Sequence, residues 1–125
     1  MIYLNTKLQV IDNSSAKLAK IIQIRNKKYL SITSIVNIVI KKTINNNKIN
    51  KKLVYLGLLT HIKNWNLRID STIIKFNKNT CVLLDKTYKL LFNKMIYPFI
   101  KDFFYKICLN HKFYQKIVIY IKNYF

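Results

Sequence analysis

Thr6–Ala16 reads TKLQVIDNSSA. Leu8 and Val10 share one side of a two-residue period, and the run then breaks into Asp12-Asn13-Ser14-Ser15. Asp, Asn and Ser side chains bond backbone groups one or two residues away, so a strand that meets such a run turns or bulges there. The chain therefore opens as β structure, and Asp12, Asn13 and Ser14 are read as a structural turn at the end of the first strand. That turn spends one of only four acidic residues in the chain.

Further strands are expected downstream. Lys17 to Arg25 is an apolar run with basic interruptions, and Ile35–Ile40 (IVNIVI) is β-branched and of strand length. KKTINNNKINKK, residues 41–52, reads as a long polar hairpin loop leading into Leu53 to Ile62. Thr72 to Phe76 and Thr80 to Leu84 are expected to form a close pair, turning at Asn77-Lys78-Asn79 because Asn tolerates the left-handed conformation. Around residue 93 the pattern changes. Pro98 suits a first helical turn, Phe99, Phe103 and Ile107 recur at helical spacing, and Lys116 to Ile121 returns to alternation. The expected organisation is one domain, mainly β: a small barrel over 1–92, then a segment over 93–125 with a short helix and a final strand.

Charge dominates the composition. Lys and Arg number 23 against four Asp and no Glu, a net charge of +19. A chain so unbalanced repels itself until a polyanion neutralises it, and nucleic acid is the first candidate. The acids are too few and scattered for a carboxylate pair, and the single glycine, Gly57, rules out a phosphate-cradling glycine loop. Cys81, Cys108, His61 and His111 lack metal-ligand spacing, so neither a metal nor a cofactor is expected. The cysteines read as small buried hydrophobes and the histidines as core or surface residues. An enzyme is not expected.

The basic residues are the candidate site. Lys17, Lys20, Arg25, Lys27 and Lys28 flank one strand pair; Lys41, Lys42, Lys48, Lys51 and Lys52 crowd the central loop; Lys63, Arg68, Lys75, Lys78 and Lys94 follow. Tyr29, Tyr55, Trp65 and Phe76 are interleaved with them and offer rings on which unpaired bases stack, or which pack in a core. Lysine contacts to phosphate position a protein without reading sequence, so shape-based binding to folded RNA is expected.

With those residues in view, Thr6-x-Leu8-x-Val10-x-Asp12-Asn13-Ser14-x-Ala16 resembles the opening of the universal large-subunit ribosomal protein fourteen family, T-x-L-x-V-x-D-N-S-G-A. RIDSTIIKFNKNTCVLL, residues 68–84, is similar to that family's R-x-D-G-S-x-I-R-F-x-x-N-A-x-V-L-L. Tyr29 with Ile35-Val36, Lys94 to Pro98 (R-I-F-G-P in the family) and Lys116-Ile117 continue the match in order. The resemblance implies a five-stranded β-barrel with a protruding hairpin and a short helical C-terminal segment. As partners it implies large-subunit rRNA, small-subunit rRNA through an intersubunit bridge, ribosomal proteins three and nineteen, and a ribosome-silencing factor, with no membrane and no small-molecule substrate. The family carries glycine where this chain has Ser15, Thr33, Ser71, Lys78, Phe92 and Tyr97. Each replacement is expected to cost about 1 kcal/mol where φ is positive. His61 stands where the family usually has Arg, and the longer, more apolar Tyr105 to Tyr114 is expected to meet a new protein partner.

Residue usage adds a compartment. Ile, Asn, Lys, Tyr and Phe abound while Gly and Pro occur once each, the mark of AT-rich coding. We read this as an organelle-encoded protein of the mitochondrial matrix, with a plastid-type organelle as the alternative. The N-terminus has no charged region followed by an apolar stretch, as a leader would, and no apolar run reaches the roughly 18–20 residues of a membrane span. From the residues alone two other readings stay open. One is a free-standing basic β-barrel that binds single-stranded nucleic acid. The other is a peripheral membrane protein using residues 96–125.

Overall fold

The computed structural model describes residues 2–25, 30–44, 49–68 and 70–92. Five strands close a barrel in the order β1 (Lys7–Val10), β2 (Ala16–Ile24), β3 (Ile35–Thr43), β4 (Val54–His61) and β7 (Thr80–Leu84). The two-residue strands β5 (Asn66–Leu67) and β6 (Ile73–Ile74) form a separate hairpin between β4 and β7. Neighbours are antiparallel except at the seam, where β1 and β7 run parallel through Gln9↔Thr80 and Val10↔Cys81. The barrel is therefore mixed.

Sequence pattern accounts for most of these elements. Leu8 and Val10 of β1 and Ala16, Ala19 and Ile21 of β2 point into a core completed by Val36, Ile38, Ile40, Leu58, Leu59 and Leu83. All five residues of β7 are buried, as a continuous apolar run predicts for a strand covered on both faces. Part of that cover is the chain itself. After β7 it turns at Asp85–Lys89, donates from Leu91 N–H to Leu83 O at 3.3 Å, and lays Leu90 and Phe92 against the core. β3 and β4 pair antiparallel from Ile35↔Leu58 to Val39↔Val54, but Lys41 to Thr43 of the expected loop belong to β3 itself, where Lys42 and Thr43 pair with Leu18 and Ala16 of β2. Gly57 sits in that pair because there is no room for more. A Cβ there would lie 2.9 Å from Ile38 Cδ1 and 3.3 Å from its Cγ2.

Two local expectations fail. Thr72 to Phe76 does not pair with Thr80 to Leu84; Ile73–Ile74 pairs instead with Asn66–Leu67. The reason is the turn before it. Asp70 Oδ1 accepts from both the N–H and the hydroxyl of Thr72, and Arg68 N–H donates to Thr72 O, so the chain reverses at 68–72. Both edges of β7 are meanwhile taken by β1 and β4. Nor does Asn77-Lys78-Asn79 use the left-handed region. Positive φ occurs instead at Asn5, Ser15, Thr33, Ser71 and Tyr88.

That set bears on the glycine replacements. Ser15 (φ 59°), Thr33 (φ 76°) and Ser71 (φ 67°) hold the conformation for which glycine is the unstrained residue, and Lys78 and Phe92 do not. Thr33, β-branched, is the most strained by type. The expected helix after Pro98, the final strand at 116–121, Tyr97 and Cys108 lie outside the described residues.

Candidate nucleic-acid interface

The D-N-S turn works as a seam fastener. Along the parallel edge, Gln9 N–H donates to Asn79 O (2.9 Å) and Ile11 N–H to Cys81 O (3.1 Å). The next donor on β7 is Leu83 N–H, and the Asp12 carboxylate accepts it through Oδ2 at 3.1 Å. Its other oxygen accepts Ser14 N–H at 3.2 Å. One side chain thus extends the ladder by a rung and reverses the chain into β2. Asp12 is buried, and desolvation raises its pKa against the opposing pull of the bonds from Ser14 and Leu83. An acid so enclosed organises backbone and is out of reach of a ligand, whereas Asn13 is exposed. Beside it Cys81 is fully buried, and burial together with the Asp12 charge pushes its thiol far above the ordinary range.

Outside the seam the barrel is basic. Lys7 on β1 lies directly opposite Lys20 on β2. Like charges facing across strands destabilise a sheet unless something neutralises them. Close by, Lys7, Lys17, Lys63 and Lys78, with Gln9, Asn77 and Asn79, line an open groove of about 350 Å³. Asn79 shapes it, accepting Lys63 N–H at 2.7 Å through Oδ1. Four lysines around an open trough, lined in part by Leu18, form a surface on which phosphates lose their counterions, with nothing nucleophilic or acidic to react.

Of the predicted basic residues, Lys17 and Lys63 meet in this groove, and Lys20 stands beside it. Lys41 and Lys42 on β3, and Lys51 and Lys52 before β4, are exposed around the β3–β4 loop. Arg25 stands elsewhere, its Nη1 donating to Tyr88 Oη at 3.1 Å. Arg68 is half-buried beside β5, and Lys75 follows β6. Lys27, Lys28, Lys48 and Lys94 lie outside the described residues. Lys78 joins Lys17 and Lys63 in the groove, and Lys7, which does not stand out in the sequence, is brought to it only by the fold.

The aromatic residues separate by environment. Phe76 packs against the core and meets the His61 ring at a tilt of 56°, with centroids 4.4 Å apart. Tyr55 is half-buried and its hydroxyl accepts Asn50 N–H at 3.1 Å. Trp65 is 66% exposed. His61 itself is buried, with Nδ1 2.6 Å from Thr80 Oγ1, which in turn lies 2.6 Å from Thr60 Oγ1. These are the contacts of a core histidine. Among the described residues no group of His, Cys, Asp or Glu is placed to hold a metal, and no helix is long and apolar enough to cross a membrane.

The family model for ribosomal protein L14p/L23e matches residues 1–121. The large ribosomal subunit protein uL14 of Carsonella ruddii (strain PV) is 37% identical over 94 residues, which cover 73% of this chain and 77% of that protein.

Proposed function

The chain belongs to the ribosomal protein L14p/L23e family, and from that premise we propose that it is a structural constituent of the large subunit of a mitochondrial ribosome. It is a ribosomal protein and not an enzyme. In the proposed role it binds large-subunit rRNA through phosphate contacts, takes part in a bridge to small-subunit rRNA, and packs beside ribosomal proteins three and nineteen. A ribosome-silencing factor docks on the surface that carries the bridge. The observation that carries the reading is the near-complete family match on a barrel whose fold gathers lysines from positions far apart in sequence. The net charge of +19 supports it, since the rRNA phosphates supply the neutralising polyanion.

The organellar part of the proposal rests on residue usage. The relative from Carsonella ruddii shows that a bacterial chain too is similar. A density gradient of organelle lysate at moderately high salt tests both parts. Co-migration with mitochondrial large-subunit RNA is the expected result, co-migration with plastid-type RNA moves the compartment, and a peak at the top of the gradient refutes the ribosomal role.

A further inference from the structure

The hairpin β5–β6 carries an aromatic group that the barrel core does not use. Trp65 is 66% exposed and leads directly into β5, with Leu67 and Ile73 also exposed on the hairpin. Lys75 Nζ stands 4.9 Å from the centre of the indole ring. Lys63 precedes the hairpin, and the one acid on it, Asp70, is occupied at the turn by Thr72. An indole left in water with a cation over its face carries the two chemistries of a nucleotide's partner. The ring offers a stacking face, and the ammonium group offers a phosphate site.

Building on the RNA-binding role proposed above, we propose that Trp65 is a stacking platform for one unpaired RNA base, whose flanking phosphates are held by Lys75 and Lys63. Lys75 and the ring are held together by a cation–π attraction, which is modest at an exposed site. A phosphate outcompetes the ring for the ammonium group, and the indole face is freed as the nucleotide arrives. A protein partner would have to bring both an apolar surface and several acids to the same spot; a nucleotide brings both within a single unit. Stacking needs no hydrogen-bond code, so the platform tolerates any base and favours purines by their area.

Trp65 is the sole tryptophan in the chain, so its fluorescence reports this site alone. The full-length chain is titrated with hexaadenylate, hexauridylate, inorganic polyphosphate and hexaglutamate. Saturable quenching by the two oligonucleotides, strongest for hexaadenylate, is expected, with little from the other two anions. Trp65→Ala should weaken hexaadenylate about tenfold and leave polyphosphate binding unchanged, while Trp65→Phe keeps most of the affinity. Because the side chain is exposed, neither variant should disturb the barrel, and unchanged circular dichroism checks this. If Trp65→Ala binds hexaadenylate as tightly as the native chain, the platform is refuted while RNA binding stands. Quenching by hexaglutamate equal to that by hexaadenylate refutes it in favour of an acidic protein partner. A native chain that binds none of the oligonucleotides overturns the RNA role as well.

Discussion

Replacing Ser15 by glycine should make this protein more stable, through two separable effects. Ser15 sits at φ 59°, where a Cβ costs about 1–2 kcal/mol. Its hydroxyl is also buried with no hydrogen-bond partner, a burden of about 1–3 kcal/mol. Its carbonyl still accepts Ile44 N–H at 2.8 Å, a backbone bond that substitution leaves intact. Against these gains stands the added freedom of glycine in the unfolded chain, about 0.4–1 kcal/mol. Ser15→Ala removes the hydroxyl and keeps the strained Cβ, so it should gain about 1 kcal/mol. Ser15→Gly should gain about 0.5–1 kcal/mol beyond that, through relief of the backbone. For a chain of this length each kcal/mol moves Tm by about 3–6 °C. Thermal unfolding followed by circular dichroism, in a sulfate buffer that shields the lysines, reads both shifts. A glycine variant no more stable than the alanine variant refutes the strain at residue 15. An alanine variant no more stable than the native chain shows that the hydroxyl is satisfied.

The seam, the tight strand pair and the basic groove each yield a prediction. Burial raises the Asp12 pKa above its ordinary 3.8, so the folded chain holds this proton more tightly than the unfolded one. Its contribution is fully present below that ordinary value and is lost as pH rises through the raised one. Asp12→Asn should abolish that limb of the stability profile, measured by urea unfolding across acidic pH. It should also lose about 1–3 kcal/mol at neutral pH, because an amide has one acceptor oxygen for two N–H donors. Gly57→Ala should lose about 1–3 kcal/mol by overpacking against Ile38, and Ile38→Val, which deletes the crowding Cδ1, should recover part of it in the double variant. Changing Lys7, Lys17, Lys63 and Lys78 together to Gln should lower the slope of log K against log salt for single-stranded RNA, by about 0.7 for each phosphate the groove no longer neutralises. An unchanged slope would mean that the groove is merely solvated.

How far the sequence reveals this molecule depends on the range of the interactions involved. β3, β4 and β7 were legible because each is an apolar run bounded by polar residues, and the residues themselves carry that information. The hairpin β5–β6 was not, since two-residue strands have no periodicity and the turn rests on one carboxylate gripping Thr72. The D-N-S turn was readable as a turn from its local chemistry. Its second bond reaches Leu83, 71 residues away, and only the closed barrel brings the two together. The groove was half legible for the same reason. Lys17, Lys63 and Lys78 stand out as charges, while their meeting with one another and with Lys7 is a product of the closed barrel.

The parallel seam also sets an order of events during synthesis. β1 emerges first, and its partner across the seam is the last strand of the barrel. Until Thr80–Leu84 is made, β1 to β4 have only each other, and the nascent sheet presents two open edges, each ready to pair with whatever strand comes near. The latch at Asp12 cannot engage before Leu83 is available. Such long-range closure is slow, and an open-edged intermediate is prone to aggregate. Prompt hand-over of the new chain to its polyanion, or a chaperone that shields the β1 edge, therefore becomes part of making this protein at all.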